Sequence, residues 1–360
     1  MSIKFTTFNV ENLFSRPKAM NLSNKKLGTD KLQTIALLQK ELAKKEYDKA
    51  KIVELANKVH GYFKINKTRG KNPLSWSRQN KTFSVKVSSK SEWGGFIELI
   101  RDRFEFQAVK NTGKFLRSID ADIVALCEVE GSAALRQFRS DQLSTQKLKY
   151  DLIIDGNDPR GIDVAYLSRL PFENIRTNIH AKRTPSSKKK LFSRDCLEAE
   201  FMLPSGESLW ILQNHLLSKL RASNDERRGH QAQGIADILS TKFDLKTDLV
   251  IVSGDLNDDI ENAPMAPLAN TPDLHNALDA VGIPKGDQWT YYYGRENEKN
   301  RIDYILVSTP LKNRLVTGGV DRRGMAGISR LTNGQVSSIP GITNWQNAAS
   351  DHAAVWIEFN

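Results

Sequence analysis

Apolar and polar positions change their period along this chain, and each change marks a different element. Residues 3–10 alternate loosely, with Phe5, Phe8 and Val10 apolar, as expected for a buried strand. From Thr29 the period lengthens. Leu32, Ile35, Leu38 and Leu42 recur at helical spacing, and Thr29 or Asp30 is placed to cap the helix. A second helix is predicted over 46–60 through Ile52, Leu55, Ala56 and Val59, with Gly61 positioned to end it. Residues 62–92 are basic and rich in Ser, Asn and Lys, with Tyr62, Phe63, Trp76, Phe83 and the adjoining Trp93 interleaved. Such aromatics either form a small core or stack bases between phosphate contacts, and the core reading is preferred.

Beyond residue 119 the texture becomes a β/α alternation. Strands are predicted at 123–129, 150–154, 162–167, 196–203, 208–214, 249–252, 302–307 and 353–359. Pro204-Ser205-Gly206-Glu207 is a turn signal that joins two of them into a hairpin. Residues 222–243 read as a helix with Ile235, Ile238 and Leu239 on its apolar side. Short strands mixed with helices predict two packed sheets with helices outside.

At 360 residues and 39% apolar, the chain can bury a sizeable core, and 26% charged residues is ordinary for a globular protein. No apolar run approaches the roughly 18 residues of a membrane span. The N-terminal sequence shows no basic region followed by an apolar stretch, so the expected location is cytoplasmic and no membrane partner is expected. Two cysteines, Cys127 and Cys196, are too few for a disulfide scaffold or a cysteine-based zinc site. The net charge of +11 is unevenly placed. Residues 15–117 hold 24 Lys+Arg and 9 Asp+Glu, a balance of +15, and the rest of the chain carries −4. Positive charge confined to one region steers and holds polyanions better than the same charge spread evenly. This predicts one catalytic domain over 1–360 interrupted by a lysine-rich, mainly helical insertion at 15–117, which acts as a substrate clamp or lid.

Polar and acidic residues recur where the predicted strands end. They are Asn9-Val10-Glu11, Cys127-Glu128-Val129-Glu130, Asn214-His215, Gly254-Asp255-Leu256-Asn257, Arg301-Ile302-Asp303-Tyr304 and Ser350-Asp351-His352. A carboxylate-and-amide set without cysteine favours a hard cation such as Mg²⁺ or Mn²⁺.

The ordered set resembles the endonuclease/exonuclease/phosphatase superfamily over residues 1–14 and about 118–360. The resemblance implies a four-layer α/β/β/α sandwich of two mixed sheets, an α/β class fold, and a metal-dependent phosphoesterase. It implies that Glu128 is the chief metal ligand, helped by Glu11, Asn9 and Asp351. Asp255 would position or deprotonate the attacking water, with Asn257 orienting water and phosphate. Asp303 would hold His352 in its cationic form against the phosphoryl oxygens, and Asn214-His215 matches a second histidine position of the nuclease and phosphatase branches. Arg194 and Arg160 are the candidate phosphate contacts.

Two departures bear on specificity. The strand ending Leu167-Ser168-Arg169 is followed by no tyrosine before Asp195, where the abasic-site branch carries one, and the insertion far exceeds the usual connection at that point. The leading expectation is a Mg²⁺-dependent nuclease, most simply an endonuclease, acting on DNA. The alternatives are a phosphatase or phosphodiesterase on a smaller substrate such as a phosphoinositide or nucleotide, and a non-catalytic nucleic-acid-binding protein. No protein partner can be inferred.

Overall fold

The structure, a computed structural model, describes residues 2–11, 15–22, 24–103, 106–158, 160–184, 186–187, 189–219, 223–294 and 296–360. The chain folds as two compact units, Met1–Phe14 with Phe104–Asn360, and Ser15–Arg103.

The larger unit contains two six-stranded sheets. Its strands are β1 (Ile3–Asn9), β2 (Ile123–Val129), β3 (Tyr150–Ile153), β4 (Asp163–Ser168), β5 (Phe172–Arg176), β6 (Cys196–Met202), β7 (Ser208–His215), β8 (Leu249–Asp255), β9 (Leu274–Asn276), β10 (Asp303–Ser308), β11 (Leu315–Asp321) and β12 (Ala354–Phe359). One sheet runs β11-β12-β1-β2-β4-β3 and the other β5-β6-β7-β8-β10-β9. Each has a single parallel pair at its centre, β1 with β2 and β7 with β8, flanked by antiparallel neighbours.

The alternation of side chains builds the layers. In β2, Ile123, Ala125 and Cys127 face the opposite sheet, where they meet Leu197, Ile211, Ile251 and Ile305. Val124, Leu126 and Val129 face outward onto Phe115, Leu116, Leu135 and Phe138 from the helices Phe106–Ile119 and Ser132–Gln142. In the second sheet Trp210, Leu212, Val250 and Val252 meet Ala232, Ile235 and Leu239 of the helix Ser223–Lys242. Strands buried on both faces read as almost continuous apolar runs, which is why the sequence revealed them. The architecture is the expected four-layer α/β/β/α sandwich. The predicted start of the third helix, Ala222, lies outside the described residues. Among the described residues, no helix is long and apolar enough to cross a membrane.

A polar seam runs between the sheets below the strand ends. Gln213 Nε2 donates to Thr7 Oγ1 (3.1 Å), Ser253 Oγ donates to Gln213 Oε1 (2.6 Å), and Tyr166 Oη accepts from Gln213 N (2.9 Å). All four residues are buried, so the seam locks the register of one sheet against the other.

The smaller unit has its own core. Helices Lys25–Glu41 and Lys49–Lys58, capped by the side chains of Asn24 and Asp48, contribute Ile35, Leu38, Ile52 and Leu55, with Leu42 at the end of the first. These pack on Phe63, Leu74 and Trp93, which come from strands. The expectation of a mainly helical insertion is therefore corrected. Hairpins pair Phe63–Gly70 with Trp93–Leu99 and Leu74–Ser77 with Thr82–Val85, and Ser15–Pro17 pairs with Arg101–Arg103. Alternation in Phe63-Lys64-Ile65 and Thr82-Phe83-Ser84 is a strand period that the abundance of lysine obscured. Four of the five aromatics serve as core, as preferred from the sequence: Phe63 and Trp93 are buried in it, Trp93 Nε1 donates to Tyr47 Oη (2.7 Å), and Tyr62 and Phe83 pack alongside. Trp76 is half-buried and stacks on the ring of His60. The helix Phe106–Ile119 belongs to the larger unit, so the compact insert ends at Arg103 rather than at the charge boundary near residue 117.

Candidate active site

The two parallel pairs bring four strand C-termini to one edge of the sandwich. β1 ends in Asn9, β2 holds Glu128 next to its last residue, β7 ends in His215 and β8 in Asp255. β10 and β12 run antiparallel to these, so Asp303 at the start of β10 and His352 just before β12 arrive at the same edge. Ligand sites of α/β sheets form at such carboxyl ends.

Asp255 is at the centre. Its Oδ1 accepts from Asn257 N (2.8 Å), and its Oδ2 accepts from Asn9 Nδ2 (3.0 Å). Oδ2 also lies 3.4 Å from His215 Nε2 and 4.0 Å from His352 Nε2. Burial first, and then the charge of Asp303 directly across the β8–β10 pair, push the Asp255 carboxyl up to about 8, against the pull of His352 and Asn9. Asp303 Oδ2 accepts from His352 Nδ1 at 2.8 Å, with both residues buried. Burial alone would depress the imidazole. Asp303, Asp255 and Asp351 outweigh it and hold His352 well above its ordinary value, so it is cationic at neutral pH. His215 is the reverse case: burial, then the charges of Arg160 and His352, hold it well below the ordinary value and hence neutral. One edge thus carries a cationic and a neutral imidazole on either side of one poised carboxyl.

The other predicted residues fall into two groups. Glu128 Oε1 is 3.9 Å from His215 Nε2, and Asp351 Oδ1 is 3.9 Å from His352 Nε2 on a half-exposed side chain. The charges of Asp351, Glu11 and Asp255 all reach the phenol of Tyr291, which burial and then these carboxylates hold above its ordinary value. Asn257 closes the loops by donating Nδ2 to Leu216 O (3.1 Å). Arg160 pairs in a fork with Asp158 while its charge acts on Glu128 and His215. All of these gather at the edge.

Asn214 and Arg194 stand at the same strand ends, but their side chains are turned into the protein. Asn214 is fully buried, with Nδ2 turned back to Leu212 O (2.9 Å). Arg194 is buried; it donates to Leu216 O (2.9 Å) and lies 2.8 Å from Asp158 Oδ2. Its guanidinium therefore braces the chain after His215, and here the structure shows an anchor where the sequence suggested a phosphate contact. Sequence reasoning also passed over Tyr291, whose ring centroid is 4.9 Å from that of His352 and whose backbone bridges it. It missed Thr290, whose Oγ1 accepts from Asp303 N (3.1 Å), and Ser350, whose Oγ donates to Asn9 O (2.7 Å) and accepts from His352 N (3.0 Å). Ser350 was legible inside Ser350-Asp351-His352; Thr290-Tyr291 carried no signal beyond its aromatic neighbours.

The donor set fits a divalent cation. Asp255, Asp303 and His352 each offer a ligand atom within 4.8 Å of the others, and Glu128, Glu11 and Asp351 add carboxylates nearby. The Asp255 carboxyl is raised by burial first and by the charge of Asp303 second, against the pull of His352. Asp303 is already committed to His352, which leaves the oxygens of Glu128, Glu11, Asp351 and Asn9 as the candidate metal ligands.

The fold is thus a four-layer sandwich with carboxylates, an amide and a histidine–aspartate pair at its strand ends. The Endonuclease/Exonuclease/phosphatase family model matches residues 103–352, and the chain belongs to this family, whose members are phosphoesterases. A crystal structure of D. rerio TDP2, humanized by 14 mutations, is similar with a TM-score of 0.51 and 18% identity, covering 71% of this chain and 91% of that one. An endonuclease/exonuclease/phosphatase from Bacteroides vulgatus is similar with a TM-score of 0.50 and 13% identity, again over 71% and 91%. At these identities the likeness concerns the fold. No curated protein matches the chain.

Proposed function

We propose that this chain is a divalent-metal-dependent phosphodiesterase acting on nucleic acid, with DNA as the first substrate to test and Mg²⁺ or Mn²⁺ as the ion. The observation that carries the chemistry is the buried line Asn9–Asp255–His352–Asp303, in which one carboxyl near neutrality is held against one imidazolium. Asp255, held at about 8, exchanges a proton with water close to physiological pH. His352 presents Nε2–H to a phosphoryl oxygen while Asp303 keeps its tautomer and charge. His215, neutral and 3.4 Å from Asp255, places a hydrogen-bonding group beside that carboxyl without adding a charge. Arg160 acts on His215, Asn257 bonds Asp255 and the Tyr291 ring lies beside His352. A cation on Glu128, Glu11, Asn9 and Asp351 would neutralise charge on the phosphate oxygens during in-line displacement. The nucleic-acid half of the reading is supported by the charge of residues 15–103, where 21 Lys+Arg face 8 Asp+Glu.

The test is nicking of supercoiled plasmid by the purified protein in Mg²⁺, with EDTA and Asp255→Asn as controls. Nicking lost in both controls is the expected result. Intact plasmid beside hydrolysis of a phosphate monoester would replace the nuclease with a phosphatase of small substrates.

A further inference from the structure

Outside residues 15–103 the chain is not basic: 32 Lys+Arg stand against 34 Asp+Glu. One stretch of that unit breaks the balance. Residues 180–194 hold six Lys+Arg, a histidine and no acidic residue. The chain doubles back here. Lys182 and Lys190 form an isolated antiparallel bridge, Arg183 N donates to Lys189 O (3.3 Å), and Leu191 N donates to Ala181 O (2.8 Å). Lys182 and Lys190 are therefore directly opposite, with like charges that disfavour the pairing. Lys190 Nζ makes one hydrogen bond, to His180 Nδ1 (3.1 Å). Beside this hairpin Arg227, on the helix Ser223–Lys242, is close enough to Arg183 for the two charges to oppose each other. Among the described residues, none of Lys182, Arg183, Lys189 and Arg227 has an acidic partner.

The base of this hairpin is rigid and stands at the active-site edge. Leu191 is packed so closely on the helix that a Cβ at Gly234 would lie 2.5 Å from its Cδ2. Arg194 is anchored to Leu216 O, and Cys196, the first residue of β6, pairs with Asn214, one residue before His215. A rigid, acid-free cationic ridge at the rim of a phosphoester site matches a chain of phosphates spaced along a strand.

We propose that Lys182, Arg183, Lys189 and Lys190, on the two paired arms of this hairpin, with Arg227 beside them, form a backbone track of the catalytic unit, along which a nucleic-acid strand lays the phosphates neighbouring its scissile bond. The track rests on the nucleic-acid reading above but is tested apart from the chemistry. The probe is a fluorescein-labelled DNA duplex, titrated by anisotropy in EDTA over a salt series. The variant is Lys182→Glu/Lys190→Glu, with Lys182→Gln/Lys190→Gln as a milder form. The control is Lys246→Glu/Lys312→Glu, the same charge change by the opposite end of β8, where Thr309 N bonds Leu245 O. Loss of two phosphate contacts should weaken binding at low salt by about tenfold or more, and make the slope of log K against log salt shallower by roughly 2. The Gln form should fall between wild type and the Glu form, and the control should bind as wild type does. Equal binding by the hairpin variant and the control overturns the track. Hydrolysis of bis(p-nitrophenyl) phosphate by the wild type, measured in parallel, reads the chemistry alone. An active enzyme with unaltered DNA binding in the hairpin variant removes the track and keeps the phosphodiesterase. An inactive enzyme that still loses DNA affinity in that variant does the opposite.

Discussion

Asp255→Asn should make the protein more stable while it abolishes turnover, and the gain should depend on pH in a way the structure specifies. In the unfolded chain the carboxyl ionises near 3.8, whereas in the folded protein burial and Asp303 hold it at about 8. For an acid raised by folding, the folded state keeps a proton that the unfolded state has released. Stability is therefore lost as pH rises from the unfolded value to the folded one, by about 1.4 kcal/mol per unit, and levels off above about 8. At pH 7 that loss is about 4 kcal/mol. Asparagine cannot ionise in either state and so escapes it. The variant forfeits something too: Asp255 accepts from both Asn257 N and Asn9 Nδ2, and an amide offers only one oxygen. One broken buried hydrogen bond costs about 1–3 kcal/mol. The net expectation is a variant more stable by roughly 1–3 kcal/mol at pH 7, with no advantage near pH 5.

The assay is urea denaturation of both proteins in EDTA at pH 5, 6, 7 and 8. Groups distant from Asp255 titrate alike in the two proteins and cancel in the difference. The stability gap should widen steadily across the series, by about 4 kcal/mol in all. A gap that stays constant with pH would mean that Asp255 ionises normally and that the buried-carboxyl account of the site is wrong. Adding Mg²⁺ at pH 8 should narrow the gap, because a nearby cation favours the carboxylate that only the wild type possesses.

Asp303→Asn should lower turnover by about 10²–10⁴ and move the alkaline limb of the pH–rate profile to lower pH, since burial then prevails at His352 and its proton is lost earlier; an unmoved limb would remove His352 from the titrating machinery. Gly254→Ala should lower stability by about 3 kcal/mol or more, because φ is +124° and the new Cβ would lie 1.9 Å from Asn214 O; an unchanged Tm would contradict that contact. Deleting residues 24–92 should weaken DNA affinity and flatten its salt dependence while the larger unit, which has its own core, still unfolds cooperatively; equal affinity would deny the smaller unit a part in binding.

Strands buried on both faces announced themselves. The predicted 123–129 coincides with β2, and 196–203 and 208–214 differ from β6 and β7 by a residue at one end. Among the edge strands β3 was also read, at 150–154, but β5, β9 and β11 were not. β11 contains Gly318 and Gly319 and exposes Val316, and β5 has most of its residues exposed, so neither carries the apolar run that a central strand needs. The first helix begins at Lys25 behind Asn24 rather than at Thr29, because its first turn offers only Leu27, which faces solvent. The helix Ser132–Gln142 likewise buries only Leu135 and Phe138, too sparse a pattern to read as a helical face.

The site was legible by residue type and order, since short motifs at strand ends survive where periodicity says nothing. Its geometry was not legible, and the reason lies in the backbone. Glu11 (φ 52°), Glu128 (φ 65°) and Asn257 (φ 55°) all adopt the left-handed conformation, which none of these residue types favours as glycine does. At Glu128 this coincides with a shift of register between β2 and β4, so the side chain leaves the alternation of its strand and turns toward His215. At Asn257 it lets the backbone N–H return to Asp255 Oδ1. At Glu11 it brings the N–H onto Asn9 Oδ1, leaving Asn9 Nδ2 to hold Asp255. Each twist redirects one polar group at the same edge, Asn257 onto Asp255 directly, Glu11 onto Asn9 and Glu128 toward His215, and each is held by a hydrogen bond or a register break rather than by local preference. Straight strands would have sent these side chains alternately into the two apolar cores. The strained ends let six strands, whose register is set by their apolar faces, present a polar centre at one edge, and propensity-based reading fails at those positions because the fold imposes the conformation there.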